Sequence, residues 1–291
     1  MPLTPAETAA ARALIALALA EDLGDAGDRT SLATIPAEAT ATAAFVARSS
    51  GVVAGLPVAE LVCAAVDASL TFHADLPDGS PVRRGTRIAT VAGSLRSVLA
   101  AERTALNFLQ RLSGIATLTR QFADAVDGLP VRILDTRKTT PGWRLLEKLA
   151  VRAGGGTNHR IGLYDAILIK DNHIAGLGDP SSAVRRSVEL ARAYPGNAGL
   201  PVEVEVDSLD QLRQVLPVKP EIVLLDNMTN DQLREAVTIR NALSPATKLE
   251  ASGGVNLTTV RGIAETGVDR ISVGAITHSA VALDIGLDYV A

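Results

Sequence analysis

The sequence predicts an α/β protein whose second half is built from repeated strand–helix units. Three observations carry this prediction. From residue 131 onward, short apolar runs alternate with amphipathic stretches, a rhythm that the first hundred residues lack. The strand-like runs are apolar throughout, as strands covered on both faces of a parallel sheet must be. Hydrophobic residues make up 47% of the 291 positions but aromatics only 3%, so the core has to be built from Leu, Val, Ile and Ala.

Composition also excludes several classes of function. A net charge of −4 does not suit a general nucleic-acid binder. The single cysteine, Cys63, rules out an internal disulfide and lies in the apolar run AELVCAAV as a core residue. That usage fits a reducing, cytoplasmic setting. The apolar run 13–20 is too short to span a bilayer, and Glu7 stands where a secretory leader would carry basic residues. The same stretch reads as a helix: Thr4 and Glu7 form a capping box and Pro5 takes the first helical position.

The first hundred residues read as α+β. Asp22, Asp25 and Asp28 lack the alternate spacing of a calcium loop and read as a solvated turn. The runs ATAAFVARS, GVV, LTFHA and TRIATVAG read as strands, with a helix over 57–67 and a turn at Pro77-Asp78-Gly79. His73 falls in one of these strands as a structural residue. A long helix is predicted over 94–122 from Leu95, Leu99, Leu106, Leu109, Leu112, Ile115 and Leu118, with Gly114 as a point of interruption. By spacing alone Glu102, Arg103, Asn107 and Arg111 form its solvated flank.

In the second half, strands are predicted at 131–135, 150–153, 166–170, 202–206, 222–226, 248–251 and 270–274. Helices are predicted at 142–149, 181–193, 209–216, 231–241 and 258–265, with Ser208 and Asn230 as N-caps. Six or seven such units fit an α/β barrel with fewer than eight strands; an open doubly wound sheet is the alternative. Both architectures bind ligands at the C-terminal strand ends. The polar residues expected on that rim are Arg137, Lys138, His159, Arg160, Lys170, Glu203, Glu205, Asp226, Asn227, Ser252, Gly253, Gly254, Gly274 and His278.

Three clusters carry chemistry. Glu203 and Glu205 are two apart, so they share one face of a strand, and Asp226 adds a third carboxylate. Such a group calls for a cation: neighbouring lysines, a metal or a cationic transition state. Glycine turns at Gly253-Gly254 and Gly274, after the last two strands, suit a phosphate approached by backbone N–H groups. From Arg132 to His173 there are eight Lys/Arg against four Asp/Glu. Only five of the 28 basic residues are lysines, and two of them, Lys138 and Lys170, stand at strand ends here. With a separate phosphate site, this basic stretch suits a ligand that joins a phosphorylated sugar to a polycarboxylate. A structural rim, a Schiff-base lysine enzyme and a non-catalytic anion binder are the competing readings.

The run DTRKTTPGWRLLEKLAVRAGGGTNHRIGLYDAILIKDNHI resembles the central signature of the quinolinate phosphoribosyltransferases. EDLGDAGDRT, AERTALNFLQRLSGIAT, VEVEVDSLDQ, VLLDNM, LEASGGVN and DRISVGAITHS resemble further family segments in order, so nearly the whole chain is covered. The resemblance implies an N-terminal α/β sandwich over 1–112, joined by a C-terminal return at 280–291, and a barrel of fewer than eight strands over 113–279. It implies a homodimer with shared active sites, a Mg2+ requirement, and the substrates quinolinate and phosphoribosyl pyrophosphate. The products implied are nicotinate mononucleotide, pyrophosphate and carbon dioxide; a paralogue acting on another aromatic acid is the nearest alternative. By position, Arg137, His159, Arg160 and Lys170 would hold the two carboxylates of quinolinate, and Arg103 would reach a partner's site. Lys138 would serve the phosphoribosyl pyrophosphate side. Glu205 and Asp226 would meet the ribose hydroxyls with metal. Ser252, Gly253, Gly254, Gly274 and Ala275 would hold the 5′-phosphate, with His278 nearby. Trp143 departs from the smaller aliphatic residue expected there.

Overall fold

The computed structural model describes residues 1–178, 182–197 and 199–290. The chain runs α1 (Pro5–Leu23), α2 (Arg29–Thr34), β1 (Thr40–Ala47), β2 (Gly51–Val52), α3 (Leu56–Val66), β3 (Thr71–Ala74), β4 (Pro81–Val82), β5 (Arg87–Ser94) and α4 (Leu95–Ala125). It continues with β6 (Arg132–Leu134), α5 (Arg144–Ala153), β7 (Ile167–Ile169), α6 (Asp171–Ala175), α7 (Ala183–Ala193), β8 (Val202–Val206), α8 (Leu209–Val215) and β9 (Ile222–Asp226). α9 (Asn230–Leu243), β10 (Lys248–Ser252), α10 (Val260–Ala264), β11 (Arg270–Ser272), α11 (Ala275–His278) and β12 (Ile285–Tyr289) complete it. These elements form two compact units. The first comprises 1–120, 138–156 and the C-terminal stretch from 276; the second comprises 121–137 and 157–275.

The first unit holds an antiparallel sheet in the order β12-β1-β5-β3 and the short pair β2-β4. The C-terminal segment returns here because Ala43–Ala47 of β1 pairs with β12. α1 starts as the sequence requires: Thr4 Oγ1 accepts from Glu7 N–H at 3.2 Å, and Glu7 Oε2 accepts from Thr4 N–H at 2.9 Å. Asp28 caps α2 through the Thr30 and Ser31 amides, so this aspartate serves a helix start. α4 runs unbroken through Gly114. A Cβ there would meet Val281 O at 2.2 Å, so glycine admits the returning C-terminal chain. α5 extends through Ala153, and the strand predicted at 150–153 is not formed. Leu146, Leu149, Ala150 and Ala153 lie at helical spacing on one buried face, and the apolar end of that face mimics a strand. The segment 138–156, assigned to the second domain by a linear division, packs with this first unit. Trp143 stacks on Phe108, with ring centroids 4.7 Å apart.

The second unit is a barrel-like sheet of six parallel strands in the order β6-β11-β10-β9-β8-β7, with helices between them. Its strands match the predicted runs to within one or two residues at each end. Thr157 extends the β6 edge by an isolated bridge to Leu134. Among the described residues no ladder joins that edge to β7, and residues 158–166 cross the seam. Ser208 caps α8 as predicted, but Thr229 rather than Asn230 caps α9. Its hydroxyl accepts from Gln232 N–H, and Gln232 Oε1 accepts from Thr229 N–H at 2.9 Å. The predicted start of the helix at Ser181 lies outside the described residues. Among the described residues no helix is long and apolar enough to cross a membrane.

Candidate functional site

The parallel strands of the second unit end on Lys170, Asp226, Ser252 and the residues just after them, as βα geometry requires. One expectation needs correction. Glu203 and His159 belong to a layer inside the barrel, below the C-terminal strand ends. Glu203 and Glu205 share a face of β8 but sit about 6–7 Å apart along the strand, since each residue rises about 3.3 Å. That distance separates a buried carboxylate from one nearer the strand end: Glu203 is 2% exposed, whereas the Glu205 side chain is 13% exposed and ion-paired with Lys170 Nζ.

The interior layer is polar where a barrel core is ordinarily aliphatic. His159 Nε2 lies 3.1 Å from Glu203 Oε2 and 3.3 Å from Glu250 Oε1, and Arg270 Nε donates to Glu250 Oε2 at 2.6 Å. Glu203 and Glu250 come from alternate strands, β8 and β10, as layers in a barrel do. On the other side of the ring, the Arg160 amide donates to His159 Nδ1 at 2.8 Å. Asp135, fully buried after β6, fastens the same loop through the His159 amide at 2.7 Å and Asn158 Nδ2 at 2.7 Å. Burial disfavours the imidazolium form, but the hydrogen bonds and charges of Glu203 and Glu250 outweigh it and push His159 up to about 9. The Arg160 amide acts against that second proton, because the proton would enter at Nδ1. Burial likewise pushes the Glu203 carboxyl up, whereas His159 and Arg270 overcome burial to hold Glu250 down. Ligand atoms of His159, Glu203 and Glu250 lie within 4.8 Å of one another. With Arg270 already on Glu250, the trio does not need a metal to balance its charge.

Arg160 and Arg137 form the basic part of this unit. Burial and then the neighbouring Arg137 charge lower the Arg160 guanidinium, while the charges of Glu203 and Asp165 act in the opposite direction. Arg160 Nη1 donates to Ala166 O at 3.3 Å across the seam, and Asp165 accepts from the Ile161 and Gly162 amides. A cavity of about 340 Å³ lined by Arg160, Asp165, Pro201, Glu203, Ile222 and Arg270, among others, opens at the N-terminal ends of β8, β9 and β11. An anion delivered to Arg160 and Arg137 would relieve their repulsion.

A second cavity of about 340 Å³ is acidic, with Asp171, Glu205, Asp207, Gln211 and Asp226 on its wall. Its donors are all hard oxygens, which fit Mg2+. They do not converge into a closed cage, and Mg2+ commonly keeps water and substrate phosphates in its shell. Asp226 Oδ2 accepts from Asn227 Nδ2 at 2.7 Å. Asn227 is left-handed at φ +53 and its amide donates to Ser252 O at 2.9 Å. Gly253, at φ +98, packs so closely that a Cβ would meet Asn227 Oδ1 at 2.1 Å. Gly254 follows at φ +60, leaving the backbone exposed for an anion. Gly274 and Ala275 follow β11 in the same unit.

The remaining predicted residues belong to the first unit. Arg103 is exposed on α4. Lys138 is exposed, and its carbonyl accepts from Thr277 Oγ1 at 2.8 Å. His278 is exposed at the end of α11, its Nδ1 2.6 Å from Ser279 Oγ. Cys63 is buried, and burial pushes its thiol up to about 12. His73 is exposed on β3, 3.7 Å from Asp75.

Sequence reasoning missed Glu250, Arg270, Asp171 and Asp207. Glu250 had a signal: a lone carboxylate inside the apolar strand KLEAS needs a buried partner, as Glu203 does. Its partner, Arg270, stands one strand away and 20 residues on, with no local pattern to join them.

The family profile described as quinolinate phosphoribosyl transferase, C-terminal domain, matches residues 115–288, and the profile of the N-terminal domain matches 28–113. The nicotinate-nucleotide pyrophosphorylase [carboxylating] of Mycobacterium leprae is 46% identical, over 98% of this chain and 99% of that protein. A quinolinate phosphoribosyltransferase [decarboxylating] of Nicotiana tabacum is 43% identical, over 95% of this chain and 81% of its own. The solved structure of the Francisella tularensis nicotinate-nucleotide pyrophosphorylase superposes with a TM-score of 0.89 at 38% identity, covering 99% of this chain and 98% of that one. With both domains matched along nearly its whole length, the chain belongs to the quinolinate phosphoribosyltransferase family.

Proposed function

We propose that this protein transfers the phosphoribosyl group of phosphoribosyl pyrophosphate to quinolinate with decarboxylation. The products are nicotinate mononucleotide, pyrophosphate and carbon dioxide, in de novo NAD synthesis. The names of its relatives support the reaction. The observation that carries the substrate assignment is the apposed pair Arg137 and Arg160, two half-buried cations that a dicarboxylate would relieve.

Arg137, Arg160 and Lys170 orient the pyridine dicarboxylate, which lowers the entropic barrier to attack on the sugar. The ring nitrogen forms a bond to the ribose C1 as the C1–O bond to pyrophosphate breaks, and the oxygen keeps the electron pair. Positive charge grows on the sugar during that step. Glu205 and Asp226, at the ends of β8 and β9, offer negative charge and acceptors for the ribose hydroxyls. Glu205 and Asp226, with Asp171 and Asp207 nearby, would hold Mg2+, which when bound would supply charge neutralisation for the departing pyrophosphate. The cationic ring then accepts the electron pair of the adjacent carbon–carboxylate bond as carbon dioxide leaves, and a solvent proton replaces it. Ser252, Gly253, Gly254, Gly274 and Ala275 hold the 5′-phosphate. Lys138 and His278 are assigned to the phosphoribosyl pyrophosphate side, and Arg103 to a partner's site, on the family resemblance. A homodimer and a cytoplasmic location belong to the same proposal.

The test mixes quinolinate, phosphoribosyl pyrophosphate and Mg2+ and measures pyrophosphate and carbon dioxide, omitting each component in turn. Turnover that persists without quinolinate, or without Mg2+ after chelation, defeats the corresponding assignment. The Schiff-base reading is disfavoured because Lys170 Nζ is held in an ion pair with Glu205. Borohydride with substrate would trap the lysine if that reading held.

A further inference from the structure

The polar flank of α4 is not all solvated. Arg111 Nη2 donates to Glu147 Oε1 at 2.8 Å and to Thr277 O at 2.6 Å, and its Nη1 donates to Ala280 O at 3.1 Å. Glu147, in the first turn of α5, is fully buried. Its carboxylate also accepts from the Thr140 hydroxyl at 2.8 Å and from the Thr140 amide at 3.2 Å. Thr277 Oγ1 in turn donates to Lys138 O at 2.8 Å. The bonds close a ring that joins α4 and α5 to the stretch 138–140 and to the residues 277–280 that carry His278, all within the first unit. We propose that Arg111 and Glu147 are positioning residues for phosphoribosyl pyrophosphate: they fix the backbone that presents Lys138 and His278 and do not touch the substrate themselves. The proposal rests on the function proposed above and deepens it by naming what holds two of its binding residues in place.

The physical argument starts from the backbone. Residues 138–143 form neither helix nor strand, so no ladder of regular hydrogen bonds holds them. Lys138 and His278 are exposed, and a lysine side chain has large rotamer freedom, so their order has to begin with the chain that carries them. A buried carboxylate is a firm anchor for such a stretch. It must keep its partners, because stranding it inside the protein is costly, and hydrogen bonds to a charged group are roughly twice as strong as neutral ones. The planar fork of Arg111 serves the carboxylate and two main-chain carbonyls together; the single ammonium of a lysine has no such fork. With the ring opened, Lys138 and His278 would have to be ordered at the moment of binding, and that cost subtracts from affinity. A purely structural network predicts something different: lower stability, with both substrates affected alike or not at all.

The test uses the full chain and the variants Arg111→Met, Arg111→Lys and Glu147→Gln, which keep side-chain length, each checked by urea unfolding. The KM values for phosphoribosyl pyrophosphate and for quinolinate are measured separately. Arg111→Met and Glu147→Gln should raise the first at least about tenfold, the scale of one charged hydrogen bond, and leave the second within about threefold. Arg111→Lys, which keeps the charge beside Glu147, should fall between Arg111→Met and wild type. In a Lys138→Met, His278→Ala background, Arg111→Met should have little further effect on the KM for phosphoribosyl pyrophosphate, because the groups it acts through are gone. Two KM values that rise alike, a lower urea midpoint with both unchanged, or an undiminished effect in that background would each overturn the proposal. A second measurement needs no turnover. The only tryptophan, Trp143, closes the same stretch and stacks on Phe108. Acrylamide should quench its fluorescence more strongly in folded Arg111→Met and Glu147→Gln than in wild type, and unchanged quenching in both variants overturns the proposal whatever the enzyme does. Wild-type protein that turns over no quinolinate defeats the proposed function instead, and the quenching still decides whether the pair holds this stretch.

Discussion

Replacing Gly253 with alanine should damage the proposed phosphate loop by a route the structure makes explicit. The residue sits at φ +98, and a Cβ would come within 2.1 Å of Asn227 Oδ1, 2.6 Å of its Cγ and 3.0 Å of its backbone N. The backbone conformation alone costs an L-residue about 1–3 kcal/mol. The contact then has to push Asn227 away, and the Asn227 amide holds Ser252 O at 2.9 Å. Losing that hydrogen bond adds about 0.5–1.5 kcal/mol. The sum is about 2–4 kcal/mol, delivered at β10 and at the neighbouring Asp226. Urea unfolding of Gly253→Ala, Asn227→Gly, the double variant and wild type forms a cycle that separates strain from contact. Glycine is at home at the φ of +53 that Asn227 adopts, and it removes the two side-chain atoms in the way. The double variant should therefore recover about 1–2 kcal/mol relative to the sum of the single changes. The phosphoribosyl pyrophosphate KM should rise at least about tenfold in Gly253→Ala (about 1.4 kcal/mol of binding) while the quinolinate KM changes little. Stability equal to wild type, or single effects that add without coupling, would refute the argument.

Arg160→Ala should raise the quinolinate KM by about ten- to a hundredfold, the worth of a charged hydrogen bond at about 1.5–3 kcal/mol, in a protein that stays folded; near-normal quinolinate binding would count against its role. Glu205→Ala should lower kcat more than it changes either KM, and unchanged turnover would remove Glu205 from the transition state. Arg270→Ala strands the buried Glu250 carboxylate and should destabilise the fold by up to about 3–5 kcal/mol, read as a lower urea midpoint. The same variant has a pH signature. Glu250 is held below its ordinary 4.5 by His159 and Arg270 in spite of burial, so its stabilising effect is present above that pH and fades as pH falls. Arg270→Ala should flatten this acid limb, and an unchanged limb would contradict the pairing. Cys63, buried and with its thiol pushed up to about 12, should resist thiol reagents in the native protein and react only on unfolding.

What the sequence makes legible follows from how local the cause is. The strand at 222–226 can be read because buried parallel strands are near-continuously apolar, and the caps at Thr4 and Ser208 because each is settled within four residues. The false strand at 150–153 shows the limit: Ala150–Ala153 completes the buried face of a helix, and over four residues an apolar run does not reveal its period. Gly114 shows another. Glycine weakens a helix by itself, but its reason here is Val281, 167 residues away, which the spacing of α4 cannot contain.

The β8 sequence VEVEV carries both lessons at once. A two-residue period places Glu203 and Glu205 on one face, and from that face alone the two appear as one acidic site in need of one cation. Depth along the strand divides them. Glu205 reaches the strand end, where Lys170 pairs with it and an acidic cavity opens. Glu203 stays inside, where bulk water cannot compensate it, and its partner has to be a group brought in by the fold. That group is His159, carried across the open seam between Thr157 and β7 by a loop no regular strand could replace. A barrel missing a closing strand thus has a use for its gap. The irregular backbone there lets a side chain reach the interior while the next residue, Arg160, lines a cavity beside it. Filling the seam with a regular strand would alternate residues 159 and 160 to opposite faces, and only one of them could then face the interior. The incomplete barrel and the buried His159–Glu203 contact are, on this argument, consequences of the same stretch of chain.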